Sequence, residues 1–271
     1  MGKIKHPTNE RKKSNYAVAM KYMGGGKYAL ARKYFNLAVA EGDIGAWCNL
    51  GVLYDNGYGV KQNYVKAKKY YELAAKKSHP ESIFNLGRLY FFGHGVKQSY
   101  TKAKQYFERA AKQGALPAYF NLGLMYEHGH GVKCDYVKAR KYYELAVKLP
   151  GGTAQLNLGL LFLLGEGVKK NYAKAKEYFE LAAKEDNPEA QNNLGLLFLL
   201  GEGVERDYKK AKEYFELAIK KDQPMALYSL GTMYYEGHGV NRDYKKAREY
   251  FALSAKKGFQ SAKDALRRTL D

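Results

Sequence analysis

A leucine–glycine pair returns every 36 residues along this chain, at Leu50-Gly51, Leu86-Gly87, Leu122-Gly123, Leu158-Gly159, Leu194-Gly195 and Leu230-Gly231. A Gly-x-Gly-Val element follows each pair, with leading glycines Gly57, Gly93, Gly129, Gly165, Gly201 and Gly237. A fixed period of this length marks supersecondary units that cannot bury an apolar face alone and therefore stack on one another. The whole turn-and-helix unit repeats, so the chain is expected to form an array rather than a closed globule.

One unit shows what is stacked. Ala46, Leu50, Leu53 and Tyr54 fall at i, i+4, i+7 and i+8, the spacing of a helix face. Gly57 ends that helix as a left-handed cap, and Gly59 allows a second unusual backbone angle. Asn63 and its equivalents Ser99, Asp135, Asn171, Asp207 and Asp243 are all strong N-cap residues, so a second helix starts there in every unit. Its apolar positions are Tyr64, Ala67, Tyr70, Tyr71, Ala74 and Ala75, where alanines facing rings allow close helix approach. Pro80, Pro188 and Pro224 sit where the next unit begins, at a first helical position. We call the two helices of a unit A and B.

The boundaries follow. Residues 1–13 read as a basic flexible tail, and residues 14–259 as the array, with a shorter opening unit that has Gly24-Gly25-Gly26 in place of the full turn. Residues 260–271 read as a capping helix carrying Arg267, Arg268 and Asp271. The junction Leu149-Pro150-Gly151-Gly152 breaks the pattern once. The apolar run Leu160 to Leu164 stops at a glycine, far short of the ~20 residues that cross a bilayer. The basic N-terminus has no apolar run behind it, so it does not read as a secretory signal. Two cysteines, Cys48 and Cys134, in non-equivalent places suit a reducing compartment, and a cytoplasmic protein is expected.

The order Ala-x3-Leu-Gly-x2-Tyr, Gly-x-Gly-Val, polar cap, Lys-Ala, aromatic pair, Ala-Ala resembles the Sel-one-like repeat, a 36-residue relative of the tetratricopeptide repeat. The second unit carries it as Ala46, Leu50, Gly51, Tyr54, Gly57, Gly59, Val60, Lys66, Ala67, Tyr70, Tyr71, Ala74 and Ala75. One departure is Tyr70, with Tyr106, Tyr142, Tyr178, Tyr214 and Tyr250, where that family often has tryptophan. The resemblance implies an all-α, right-handed superhelical solenoid of antiparallel helix pairs that serves as a protein-interaction adaptor, with helix A lining its concave face.

What does not repeat is more informative about function. With Leu50, Leu53 and Tyr54 turned to the core, positions 48, 52, 55 and 56 lie on the other side of helix A. Across the units this row contains Phe84, Arg88, Phe91 and Phe92; Phe120 and Leu124; Leu156, Leu160, Leu163 and Leu164; Asn192, Leu196, Leu199 and Leu200; and Tyr228 and Tyr235. The middle of the row is apolar beyond what a monomer usually exposes, which marks a site for an amphipathic helix or extended peptide. The alternative is that the same residues are extra core packed between neighbouring A helices, and burial in a homodimer is a variant of the first reading. Beside them runs a polar ladder, Asn49, Asn85, Asn121, Asn157 and Asn193. Asparagine is a mediocre helix former, so its recurrence needs a purpose. Each amide either holds a peptide main chain or ties adjacent helices through a backbone carbonyl.

The net charge of +19 raises the question of anionic partners. Lys68, Lys104, Arg140, Lys176, Lys212 and Arg248 form one row on helix B, and Lys76 and its equivalents another. Glu72, Glu108, Glu144, Glu180 and Glu216 lie between them, at the spacing of helical ion pairs. Lys66 and its equivalents form a third row with no acidic neighbour. The 26 tyrosines fall mainly at core positions, which weighs against a nucleic-acid stacking platform. Chemistry fares worse. His94, His130 and His238 stand in turns ~10 Å apart, too far to share an ion. Ser99-x-x-Lys102 and Ser254-x-x-Lys257 match a serine acyl-enzyme motif that a lysine-rich chain produces by accident. The glycines lack the Gly-Lys-Ser/Thr of a phosphate loop. No enzyme activity, cofactor or metal is expected. The expected function is a scaffold binding a protein or peptide along helix A; a basic-surface binder of nucleic acid or acidic partners, or a self-associating element, is the alternative.

Overall fold

The computed structural model describes residues 14–268, and the expected tail and the last three residues of the expected cap lie outside them. Among the described residues all regular structure is helical: α1 (Asn15–Gly24), α2 (Tyr28–Ala40), α3 (Ile44–Asn56), α4 (Tyr64–Lys76), α5 (Pro80–Phe92), α6 (Tyr100–Ala111), α7 (Leu116–His128), α8 (Tyr136–Ala146), α9 (Thr153–Leu164), α10 (Tyr172–Lys184), α11 (Pro188–Leu200), α12 (Tyr208–Lys220), α13 (Pro224–Glu236), α14 (Tyr244–Lys256) and α15 (Gln260–Arg268). Odd-numbered helices through α13 are the A helices, and even-numbered ones are the B helices. The chain divides into two compact units, one through Ala118 and one from Tyr119, with the division inside α7.

The helix boundaries are set by the residues that the repeat places there. Asn63, Ser99, Asp135, Asn171, Asp207 and Asp243 each accept a hydrogen bond from the backbone N–H three residues on, satisfying a donor that the first turn leaves without a partner. Gly57, Gly93, Gly165, Gly201 and Gly237 close the A helices in the left-handed conformation. Pro80, Pro188 and Pro224 stand at first helical positions. At the irregular junction Gly152 replaces the usual side-chain cap of an A helix. There the Gly151 N–H donates to Glu185 at 2.7 Å and Asn187 donates to the Gly151 carbonyl at 3.0 Å.

Within each repeat the Leu-Gly glycine is where the two helices touch. A Cβ built on Gly87 falls 2.6 Å from the Phe107 ring, and one on Gly159 falls 2.5 Å from the Phe179 ring. Gly51, Gly123, Gly195 and Gly231 meet Tyr71, Tyr143, Phe215 and Phe251 in the same way. These rings are buried, Phe107 and Phe179 completely. Complete burial of such a side chain contributes about 1.5–3 kcal/mol, so six of them are a major share of the core. A second contact stacks a ring of helix A on one of helix B. Tyr54 lies on Tyr70 and Tyr90 on Tyr106 in the first unit, at centroid distances of 5.7 and 5.6 Å. Tyr126 on Tyr142, Phe162 on Tyr178, Phe198 on Tyr214 and Tyr234 on Tyr250 continue the pattern in the second unit. Tyrosine at the position where the resembled family often has tryptophan therefore serves as a flat stacking surface.

Successive repeats join through the Gly-x-Gly turn. A Cβ on Gly95 falls 2.6 Å from the Tyr64 Cβ, so the turn of one repeat rests directly on the start of helix B in the repeat before. The residue between the glycines completes the joint. Tyr58 stacks on Tyr28 at 4.8 Å, His94 on Tyr64 at 4.5 Å and His238 on Tyr208 at 5.2 Å. Where glutamate stands in the turn, it accepts a hydrogen bond instead, Tyr172 Oη donating to Glu202 at 3.2 Å. α15 packs on α14 and buries Ala262, as a capping helix should.

Gly87→Ala is expected to lower stability. Displacing the ring costs about 1–3 kcal/mol, which outweighs the roughly 1 kcal/mol gained in helix propensity. Gly24→Ala, where a Cβ meets nothing within 4 Å, should do the opposite. Urea midpoints of the two variants check the contrast in sign. Acid should loosen the second unit as well. Hydrogen bonds from the backbone N–H groups of Lys138 and Lys210 hold the Asp135 and Asp207 carboxyls below the usual range. Their contribution is therefore complete at neutral pH and is lost as pH falls through those lowered values. Asp135→Asn with Asp207→Asn keeps both caps without a titrating group, as Asn171 does, and thermal melts from pH 7 to pH 2 should show a smaller acid loss for that variant.

Candidate functional site

The expected row on the A helices separates by position. Over the sequence i, i+4, i+7, i+8 the last residue stands about 80° round the helix from the first. The first residue accordingly turns toward helix B of its own repeat. Cys48, Leu156 and Asn192 are buried, Cys48 and Asn192 also against the next A helix. Phe84 packs on Phe107, Phe120 on Tyr143, and Tyr228 between Phe251 and Phe259, at 5.4–5.6 Å. Cys48, Leu156 and Asn192 are thus extra core, and the rings of Phe84, Phe120 and Tyr228 are half-buried against it. At the far edge of the row Phe92, Leu164 and Leu200 are 53%, 58% and 53% exposed.

The middle residues lie between these extremes. In the second unit Leu124 packs partly on the core formed by Ala139, Tyr143, Leu158 and Leu161. Leu160 and Leu163 pack partly on the Phe179–Leu194–Leu197 core, and Leu196 and Leu199 on the Phe215–Leu230–Met233 core. Each keeps an accessible edge. Tyr235 leans on Tyr244 at 5.3 Å. In the first unit Phe91 stands edge-on to Tyr100 at 5.1 Å, and Arg88 is half-buried. The exposed apolar surface that remains of this row is therefore at the C-terminal ends of α5, α9 and α11, narrower than the whole row.

The polar ladder is occupied by bonds inside the fold. Asn49 donates to the Gly45 carbonyl of its own helix at 3.0 Å and to Tyr16 Oη in the preceding A helix at 3.2 Å. Asn193 donates to the Glu189 carbonyl at 2.9 Å. Asn157 bonds the Tyr143 phenol, and Ser229 donates to Asn192 at 3.4 Å. Asn85 is buried, while Asn121 is half-buried. Where a backbone carbonyl is bonded, at Gly45 and Glu189, it belongs to the same helix, and the link between helices runs through tyrosine hydroxyls. Tyr71 and Tyr143 anchor two of the carboxylates in the row by donating to Asp55, at 3.1 Å, and to Glu127. Burial pushes both phenols well above the usual tyrosine range, so they act as fixed donors rather than acids.

The basic rows also have local partners. Lys68, Lys104, Arg140, Lys176 and Lys212 pair with the glutamate four residues on, at 2.6–3.5 Å. Glutamate thus reaches back toward the first row, not forward to the Lys76 row, which stands at or just past the C-terminal end of helix B, beside the negative end of the helix dipole. The row expected to have no acidic neighbour sits over rings, and where the cap is aspartate it also pairs with that cap, Lys138 with Asp135, Lys210 with Asp207 and Lys246 with Asp243 at 3.3–4.0 Å. Lys66, Lys102, Lys138, Lys174, Lys210 and Lys246 each lie 5.2–5.3 Å from the centroid of the A-helix ring of the stacked pair. A ring held between a cation and a second ring recurs in both units.

The catalytic motifs are engaged elsewhere too. Ser99 is the N-cap of α6, and buried Ser254 donates to the Pro224 carbonyl at 2.6 Å. One cluster escaped sequence reasoning. In the first unit Cys48, His79 and Glu81 bring a sulfur, an imidazole nitrogen and a carboxylate oxygen within 4.8 Å of one another. His79 is the N-cap of α5, and Ser82 N–H donates to its Nδ1 at 3.3 Å. Burial pushes the Cys48 thiol up to about 12, so it is a protonated thiol rather than a nucleophile. The available signal was a pair of departures from the repeat, cysteine where other units have Phe84, Phe120 or Leu156, and histidine where they cap with Asp43 or Asn187.

Comparison with known proteins gives this geometry a context. The Sel1 repeat family profile matches seven segments, residues 13–43, 46–79, 80–114, 116–150, 152–187, 188–223 and 224–259. A Sel1 repeat protein from Oxalobacter formigenes is similar at 31% identity over 89% of this chain and 99% of its own, with a TM-score of 0.83. A protective antigen of uropathogenic Escherichia coli with the same repeat fold is similar at 28% identity, covering 93% of this chain, with a TM-score of 0.79. This chain spans 55% of that antigen's length. The immunity protein Pa5087 from Pseudomonas aeruginosa, at 22% identity over 80% of this chain and 84% of its own and a TM-score of 0.51, shares the fold alone. No curated protein matches. No helix among the described residues is long and apolar enough to cross a membrane.

Proposed function

We propose that this chain, which belongs to the Sel1 repeat family, captures a protein partner with the exposed apolar ends of its A helices, above all those of α9 and α11. Sel1 repeat proteins are in general scaffolds for protein–protein interaction. The observation that carries the reading for this chain is the pair Leu164 and Leu200, more than half exposed on consecutive A helices. Beside each stand two half-buried leucines, Leu160 with Leu163 and Leu196 with Leu199. Six leucines on two consecutive A helices, two exposed and four half-buried, make an apolar strip, the kind of surface against which an amphipathic helix lies.

The contact set is smaller than the full row. Leu156, Asn192 and Asn85 are sealed, so they support the strip from beneath without meeting a partner. Phe84, Phe120 and Tyr228 serve the core first. In the second unit Leu124, Tyr235, Asn121, Asn157 and Asn193 are half-buried on the A helices and extend the candidate set, as Asn49 does in the first unit. In the first unit Phe92, with Arg88 and Phe91 beside it, offers the equivalent surface.

Aspartate at Leu160 and Leu196 would also disturb the cores on which those side chains rest. Leu164→Asp with Leu200→Asp avoids this, because both side chains already face water. The double variant should keep the helical circular dichroism and melting midpoint of the parent. In quantitative affinity capture from the native cell it should lose the specific partner by about tenfold or more, the scale of removing a hot spot. Equal recovery of every captured protein by parent and variant would contradict the reading. Sedimentation that shows the parent dimeric and the variant monomeric would make the occupant a second copy.

A further inference from the structure

We infer that Cys48, His79 and Glu81 form a binding site for a divalent transition-metal ion of the zinc type, with the fourth position open to water. The three ligand atoms lie within 4.8 Å of one another, a spacing that a tetrahedral ion with bonds of about 2.0–2.3 Å can draw together. The donor set is chemically specific. Thiolate and imidazole select zinc and its neighbours over magnesium or calcium, and one carboxylate is a common third ligand. Charge also balances. A dication with one thiolate and one carboxylate is neutral, so the positive end of α5, where His79 and Glu81 stand, meets no net excess of charge. On binding, the thiol proton leaves to solvent.

The surroundings support a site rather than a chance meeting. Cys48 is buried, His79 half-buried and Glu81 exposed, so the cluster has a closed floor and one side open for an ion to enter. Glu81 makes no ion pair among the described residues, and its carboxylate is hydrogen-bonded to the Cys48 thiol, so the two ligands already face each other. Ser82 Oγ lies 3.2 Å from His79 Nδ1; in the tautomer that coordinates through the other nitrogen, Nδ1 gives up the bond from Ser82 N–H and donates to this hydroxyl instead, which orients the ring. Cys48 and His79 both depart from the repeat, and the two departures, 31 residues apart in sequence, meet at one point. No other group of three such side chains comes together among the described residues.

The test uses the full chain carrying Cys134→Ser, so that Cys48 is the sole thiol, and Co(II) alone as a spectroscopic probe. Titration should saturate at one equivalent and show a sulfur-to-cobalt charge-transfer band in the near ultraviolet, with visible bands of four-coordinate intensity. Zn(II) should displace the cobalt. Cys48→Ala should abolish the ultraviolet band. His79→Asn keeps the helix cap, as Asn187 shows elsewhere, and should raise the dissociation constant at least tenfold with an unchanged melting midpoint. Absence of a sulfur band at millimolar cobalt, a band that survives Cys48→Ala, or binding unaffected by His79→Asn would each overturn the assignment.

Discussion

Helix A and helix B of each repeat approach closely because one of them has no side chain at the crossing. Six glycines leave the space that six buried rings from helix B occupy, and a methyl group at any of them would collide with a ring. That constraint fixes the height of one helix on the other. It thereby sets the register of the second contact, the stacked pair of rings one turn further along helix A. The lysine at the start of helix B completes this second contact by lying over the outer ring. Packing, stacking and cation–ring attraction are thus parts of one joint, repeated along both units.

A framework set by repeated joints leaves function to the positions that are free to vary. The residue after each Leu-Gly glycine's turn illustrates the division. Tyrosine, histidine and glutamate all serve between the turn glycines, because a ring can stack on the tyrosine beneath it and a carboxylate can accept from that tyrosine's hydroxyl. The same tolerance operates on helix A, with a different outcome. Positions facing helix B must stay apolar or find a hydrogen-bond partner, whereas the last position before the capping glycine faces water and carries asparagine, phenylalanine, histidine, leucine or glutamate. Leucine at two consecutive repeats is therefore a local choice that the packing does not require.

Much of this was legible in the sequence. The period, the caps at Asn63 and its equivalents, the proline starts and the glycine stops are local signals, and each helix boundary rests on them. The purpose of the Leu-Gly glycine was not legible, since a close approach depends on a residue twenty positions away, as Gly87 depends on Phe107. Nor was the inner half of the A-helix row. Leu156 and Leu164 are equally apolar in sequence, and only the direction of helix B distinguishes the sealed one from the exposed one. The third lysine row read as unpartnered because acids were sought along helix B, whereas its partners are rings of helix A and, in three repeats, the N-cap aspartate three residues before. Cys48, His79 and Glu81 went unassembled for a similar reason, the cysteine lying on α3 and the other two at the start of α5 with no motif joining them.

The most direct measurement is the relative solvent accessibility of single leucines in dilute solution, by covalent carbene labelling with residue-level mass spectrometry. The joint between helices A and B places Leu158 and Leu194 inside and leaves Leu164 and Leu200 outside. Heavy labelling of Leu164 and Leu200 with protection of Leu158 and Leu194 is the expected result. Equal protection of all four at concentrations where the chain is monomeric would mean that the strip is closed within the fold, and the capture surface would not exist.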